Sequence, residues 1–501
     1  MRGNKTHHNF VIVGGGTAGW ITANILAHTC DDVEVTLIED PAIPTIGVGE
    51  GSTPALKSFF ELLGIPEVRW MSECDATYKV GIQFDDWSNV DKEDYFHPFP
   101  SIIDNHTLPA FFYNARLRAS GKDVTANPSA YFLAAKLAEE HRAPVEREAF
   151  PFEINYAYHF DSNKLGKVLR EHALSLGVMW KKDTVNEVNV AQSGHIDAIQ
   201  TASGQVFRAD MFFDCTGFES LLLQKALKVE FNDFSDMLIN DSAAVVQTAA
   251  TSLHRESQTR SKALKSGWKW RIPLTSRTGH GYVYSKDFTS TSEVESELLS
   301  SMSYDDKLQI TDIRHLSFVT GRVCSHWKEN CLGVGLSQGF IEPLEATALF
   351  LVQQTAAKFA DLWRSGQRTK SAQTQFNSQI NSLFDGIRDY VVLHYRLSKR
   401  TDTDYWNAAR EDIKVPERIR ELLNQWERGA DIIPFLRSSG LDQFYPVASW
   451  YAILSGHKHF PVQLDSFEDK LSRFPPGKVQ TFIKRCTLNY PKHTQALARL
   501  P

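Results

Sequence analysis

The amino-acid sequence predicts an α/β fold that opens on a β-turn-α-β unit and turns mostly helical toward its end. Three observations carry this. Residues 10–13 are a short apolar, β-branched run that leads straight into a glycine cluster, and helical spacing follows over residues 20–28. Residues 33–38 form a second such run, closed by Glu39. Beyond about residue 365 the apolar spacing is mostly helical and rich in Trp.

The elements follow in order. Residues 47–54 (GVGEGSTP) are a loop of turn formers, and residues 55–63 are helical. Residues 77–84 alternate: Tyr78, Val80, Ile82 and Phe84 face one way, Thr77, Lys79, Gly81 and Gln83 the other. That pattern predicts a half-buried strand with Lys79 on its solvated face. Residues 129–141 and 161–176 read as helices, and residues 195–201 and 206–209 as a hairpin across Ser203-Gly204. Residues 211–215 are an apolar strand entering Thr216-Gly217, and residues 331–336 another. Residues 343–363 read as one long helix, with Pro343 in the first turn, where a missing N–H costs nothing.

A chain of 501 residues exceeds one ordinary core, so two or three domains or one elaborated domain are expected. We divide it into residues 1–365 and a mostly helical 366–501. A net charge of -6 gives no broad basic field for nucleic acid or an anionic membrane. The six cysteines are scattered, without metal-ligand spacing, so neither structural zinc nor a disulfide framework is expected. Residues 1–9 are polar, with no signal-peptide pattern, and no apolar run reaches the ~18 residues a membrane span needs. The expected location is the cytoplasm.

Gly14, Gly16 and Gly19 spell G-x-G-x-x-G, with Thr17 and Ala18 inside the motif. Glycines at those places permit a tight turn and close backbone approach to a pyrophosphate, and the following helix points its free N–H groups at the charge. Glu39 closes the next strand, placed to accept hydrogen bonds from ribose hydroxyls. The single N-terminal fingerprint leaves NAD and FAD both open. The 212–217 strand and turn, and the 333–336 strand followed by Gly339, fit FAD better by arrangement.

Several segments resemble flavin-dependent halogenases of the tryptophan halogenase family. Residues 14–20 (GGGTAGW) resemble the family's opening, and residues 268–273 (WKWRIP) its W-x-W-x-I-P motif. Residues 47–50 (GVGE) resemble the strap across the flavin, residues 339–345 (GFIEPLE) its GFxEPLE segment, and residues 389–395 (DYVVLHY) a further helix. The resemblance runs from residue 10 to about 406, and more loosely to the end. It implies an FAD-binding, flavoprotein-monooxygenase-like domain of Rossmann type with a mostly helical C-terminal substrate domain. It also implies a chemistry. Reduced FAD from a separate NADH-dependent flavin reductase, with O2 and chloride or bromide, yields hypohalous acid. That acid crosses an interior passage to a small aromatic substrate.

Residue roles follow from the same resemblance. Lys79 and Glu345 are the catalytic pair, the lysine holding the halogenating species and the glutamate polarising it or taking the ring proton. Gly14, Gly16, Thr17, Ala18, Gly19, Glu39, Gly49, Glu50 and Leu336 bind the cofactor. The N–H groups of Thr347 and Ala348 form a halide site, since helix starts bind anions. Trp268 and Trp270, two apart on a strand and so on one face, guard the flavin side. His97, Phe99 and Trp450 contact the aromatic ring. The family's usual Ser-Thr-Gly after the glutamate is here Ala346-Thr347-Ala348, which removes a hydroxyl and adds a methyl beside the halide. The polar groups that grip an amino acid's ammonium and carboxylate have no matched counterpart. A free indole is therefore as well predicted as tryptophan. An FAD monooxygenase and a non-catalytic flavin-binding protein share the fold and remain alternatives, and a nicotinamide-linked reductase is disfavoured by the single fingerprint.

Overall fold

The computed structural model describes residues 7–43, 47, 50–88, 94–146, 150–250, 255–303, 310–461 and 476–500. The chain forms two compact units, each of three segments. Unit 1 comprises Met1–Asp75, Phe160–Ser235 and Phe318–Asp385; unit 2 comprises Ala76–His159, Asp236–Ser317 and Gly386–Pro501. The division expected at residue 365 follows chain order, whereas these units follow contact. The last passage between them, after Asp385, falls inside the Lys370–Leu397 helix.

Unit 1 is built on a six-stranded sheet. Its order is Trp327–Lys328, Cys331–Gly333, Met211–Asp214, His8–Val13, Val33–Glu39 and Met179–Lys182. All neighbours are parallel except the first pair. A parallel strand is covered on both faces, which is why residues 10–13 and 211–213 read as unbroken apolar runs. The helix Thr17–Thr29 packs on Ser162–Ser175 and Ala348–Arg364. Asn24 ties it to the former by donating to the Leu169 carbonyl at 2.8 Å. Val11, Ile38, Ile199, Phe212 and Leu222 share a core, each such buried side chain contributing about 1.5–3 kcal/mol. The expected hairpin forms, Ile196–Thr201 pairing antiparallel with Val206–Phe207.

Unit 2 holds a seven-stranded sheet, ordered Arg314–Ser317, Ser242–Ala249, Arg277–Tyr284, Gly267–Pro273, Thr259–Leu264, Gly81–Asp85 and Tyr95–Pro98. Only Thr259–Leu264 and Gly81–Asp85 run parallel. The expected 77–84 strand is two strands. Thr77–Lys79 pairs antiparallel with Ala157–Phe160, and Gly81–Asp85 with the large sheet. Val80 is the joint, its N–H donating to the Ser257 carbonyl at 2.8 Å. Helices dominate after the Lys370–Leu397 helix, among them Glu417–Glu427, Val447–Gly456 and Pro476–Thr487. Among the described residues no helix is long and apolar enough to cross a membrane.

Candidate functional site

The glycine turn of unit 1 assigns each glycine a separate task. Gly14 sits at φ 115, and a Cβ there would stand 2.1 Å from the Cys215 carbonyl oxygen. Gly19 lets the helix lie on the turn: its Cβ would be 2.0 Å from the Gly14 oxygen. At Gly16, the N-cap, a Cβ would meet nothing within 4 Å, and no side chain caps the helix. Open space thus faces the uncapped N–H groups of Thr17, Ala18 and Gly19, as a pyrophosphate requires. Glu39 ends its strand beside this turn; a Cβ on Gly15 would strike its side chain at 2.3 Å. Its carboxylate accepts from Trp180 Nε1 at 2.8 Å. These residues fit the pyrophosphate and ribose of FAD.

Around the turn, Asp214 locks the returning chain. Its buried carboxylate accepts from the Thr216 N–H and hydroxyl and from the N–H groups of Leu222 and Leu223. Burial pushes its pKa up, and those donors pull it back toward the charged form. Glu50 lies half-buried in the short strand Glu50–Gly51, while Gly49 falls outside the described residues. Leu336, expected on a strand, lies in the 3-10 turn Gly335–Ser337, because Gly335 at φ 76 ends the strand at Gly333.

The helix expected over residues 343–363 starts later. Pro343–Glu345 is a 3-10 turn, Ala346 is left-handed at φ 55, and the helix proper is Ala348–Arg364 with Thr347 as N-cap. Pro suits the first position of either kind of turn, so it does not fix which begins. Glu345 is therefore not in the helix's first turn. It is a buried carboxylate at the end of a separate turn. Thr347 and Ala348 do stand at the helix start, where the N–H groups lack intrahelical acceptors and no side chain caps them.

In unit 2, Lys79 is 0% exposed, so the solvated face expected for it is covered. Its Nζ lies 5.4 Å from the centre of the Phe99 ring, within cation–π range. Two residues earlier, Thr77 donates its hydroxyl proton to the Pro273 carbonyl at 2.7 Å. Its oxygen, 3.2 Å from His159 Nδ1, then accepts from that nitrogen. His159 Nε2 is left to accept from the Thr259 hydroxyl at 2.8 Å. Full burial, and then the charge of Lys79, hold the His159 pKa well below its usual value.

His97 is buried, its Nε2 3.2 Å from the Tyr390 hydroxyl. That hydroxyl gives its proton to the Ser449 carbonyl at 3.0 Å, so His97 Nε2 is the donor to it. Tyr390 stacks on Tyr445 at 3.7 Å and meets the Trp450 edge at 4.9 Å. Trp450 is fully buried and spends its N–H on the Tyr445 carbonyl. Tyr390 escaped the sequence reading as a contact of His97; the signal was its place in the 389–395 segment, four residues before His394.

Trp268 and Trp270 share one face of Gly267–Pro273, ring centres 5.9 Å apart. The Trp270 ring packs against Gly281 on the neighbouring strand, where a Cβ would be 2.0 Å from it. Its Nε1–H is buried with no acceptor among the described residues.

Comparison with known proteins identifies the family and the fold. A family model described as tryptophan halogenase matches residues 9–473. The tryptophan 7-halogenase RebH of Lentzea aerocolonigenes is 34% identical over 439 residues, 84% of this chain and 82% of that protein. The tryptophan 6-halogenase SttH of Streptomyces toxytricini is 33% identical over 476 residues, 89% of this chain and 88% of its own. Among solved structures, Xcc4156, a flavin-dependent halogenase from Xanthomonas campestris, has a TM-score of 0.87 at 30% identity, covering 99% of this chain and 98% of that one. BrvH, a flavin-dependent halogenase from Brevundimonas sp. BAL3, has a TM-score of 0.85 at 30% identity, covering 99% and 100%.

Proposed function

The chain belongs to the tryptophan halogenase family and is a flavin-dependent halogenase using FAD and a halide, and from that premise we propose that it halogenates a small free indole, tryptophan or a relative of it, through Lys79 and Glu345. The observation that carries this is a lysine with no exposed surface, its ammonium set over the Phe99 ring. Removing an ammonium from water is costly, and a strand of ordinary structural duty has no need of one.

Reduced FAD, when bound, supplies the electrons that activate O2 for halide oxidation. The chain's own residues do the rest. Gly14, Gly16, Thr17, Ala18 and Gly19 hold the pyrophosphate, Glu39 the ribose, and Gly49, Glu50 and Leu336 the flavin end. The N–H groups of Thr347 and Ala348 hold the halide, and Trp268 and Trp270 keep the organic substrate from the flavin. Lys79 donates a hydrogen bond to the oxygen of hypohalous acid. As the ring carbon takes the halogen, that oxygen leaves as water with the lysine proton. Glu345 accepts the proton that the ring carbon then sheds, and solvent exchange returns it to Lys79. His97 and Phe99 face the ring, and Trp450 braces Tyr390 and Tyr445 behind them. We further assign a separate NADH-dependent flavin reductase as the source of reduced FAD, and the cytoplasm as the place where both work.

The test is mass spectrometry of an indole panel, tryptophan included, with FAD, a flavin reductase, NADH and bromide. Lys79→Ala should lower brominated product by about 10²–10⁴-fold, with FAD affinity unchanged. Brominated product at the wild-type rate from that variant would overturn the mechanism. Hydroxylated product formed without halide would favour an oxygenase instead.

A further inference from the structure

The edge strand of unit 1, Met179–Lys182, runs parallel to Val33–Glu39, with Lys182 in register with Glu39. It carries Trp180, half-buried, whose Nε1–H donates to Glu39 Oε2 at 2.8 Å. An indole N–H can only donate, so this contact occupies one lone pair of the Glu39 carboxyl and leaves the other oxygen to accept elsewhere. The ring is itself held. Lys182 Nζ lies 4.5 Å from its centre, the Arg170 guanidinium carbon 4.7 Å, and Trp20 meets it edge-on at 6.1 Å. A tryptophan at the rim of a sheet contributes little core. Two cations over its ring and a carboxylate on its N–H mark it as a support.

The support acts on Glu39, whose side chain lies against Gly15 of the dinucleotide turn. A glutamate free in water samples many rotamers and must give them up on binding a ribose. Here one carboxylate oxygen is already anchored, so part of that cost is met before the cofactor arrives.

We propose that Trp180 is a positioning residue for cofactor binding: its indole N–H, steadied by Lys182 and Arg170, fixes Glu39 to receive the adenosine ribose of FAD. The inference rests on Glu39 as the ribose acceptor. It sets the affinity for a cofactor that must arrive already reduced, and it does so through the adenosine half alone.

Binding of oxidised FAD and of FMN, which lacks the adenosine, should be titrated by flavin fluorescence for wild type, Trp180→Phe, Glu39→Ala and the double variant. Trp180→Phe should weaken FAD about five- to tenfold and leave FMN unchanged. The double variant should bind FAD no more weakly than Glu39→Ala. Arg170→Gln with Lys182→Gln, which leaves the indole in place, should weaken FAD about twofold. If Trp180→Phe binds FAD like wild type while Glu39→Ala is weakened, the Trp180 inference falls and the ribose reading stands. If Glu39→Ala binds FAD normally, the ribose reading itself falls. Equal loss of FAD and FMN in Trp180→Phe would mean a merely structural tryptophan and would also overturn the proposal. Should Trp180→Phe fail to fold, the Arg170/Lys182 variant decides, unchanged FAD affinity counting against it.

Discussion

The dinucleotide turn of unit 1 is a site of bare backbone, whereas the lysine strand of unit 2 is a site of packed side chains. In the first, Gly14 and Gly19 are demanded by neighbouring carbonyl oxygens, and at Gly16 a Cβ would meet only open space, which we propose the pyrophosphate fills. In the second, Lys79 is placed by partners on other strands. Thr77, His159, Thr259 and the Pro273 carbonyl form a chain of directed hydrogen bonds two residues away. The difference teaches where tolerance lies. A backbone site fails when any atom is added, and a side-chain site fails when a partner is removed or turned.

The sharpest way to break this contrast is Gly16→Ala. Gly16 has φ -71 and open space where a Cβ would go, so alanine fits the protein without strain. The methyl would occupy the approach to the pyrophosphate. FAD affinity should fall by about a hundredfold, roughly 2.8 kcal/mol, with the melting temperature of the cofactor-free protein unchanged. Titration and a thermal scan read both. Undiminished affinity would mean that the phosphates sit elsewhere and that the open space serves nothing.

A smaller effect is expected on the side-chain half. A Cβ at Gly281 would lie 2.0 Å from Trp270 Cζ2 and 2.1 Å from Cη2. Gly281→Ala therefore turns the indole without touching its chemistry. The cost in stability should be about 1–3 kcal/mol, the range for overpacking a filled site. Halogenated product per NADH oxidised should fall while FAD affinity holds. Unchanged product per NADH, despite lowered stability, would show that the orientation of Trp270 does not matter to the reaction.

The same contrast explains what the sequence disclosed. Gly14 and Gly19 were legible because only glycine meets their backbone demands, Gly16 because it completes the motif spacing between them, and Glu39 because it closes the next strand. The parallel sheet was legible from unbroken apolar runs. Lys79 was misplaced on a solvated face because alternation reports two faces and not what covers them. Here the Lys79 ammonium lies over the ring of Phe99, twenty residues along the chain and on another segment. Catalytic assignment of Lys79 came from family resemblance, since no local pattern separates a buried lysine from an exposed one. Tyr390 was hidden for the same reason: its stacking on Tyr445 joins distant segments. The late start of the Ala348–Arg364 helix had no signature, because the left-handed residue that delays it is an alanine, where glycine or asparagine would have announced a turn.

That alanine gives the smallest effect and the finest comparison. Ala346 at φ 55 does with a Cβ what Gly14 does without one. A left-handed L-residue costs about 1–2 kcal/mol, so Ala346→Gly removes strain. Glycine also widens the unfolded ensemble, which costs about 0.4–1 kcal/mol. The first effect is the larger, and the variant should be more stable by roughly 0.5–1 kcal/mol, read as a rise of a few degrees at most in melting temperature. The turn would also become freer to shift Glu345 and the Thr347 and Ala348 N–H groups. Product formation should then fall slightly while stability rises, the exchange expected where strain holds a site in place. A lower melting temperature would show instead that packing of the Ala346 methyl outweighs its backbone strain, and that this turn, like the lysine strand, is held by side chains.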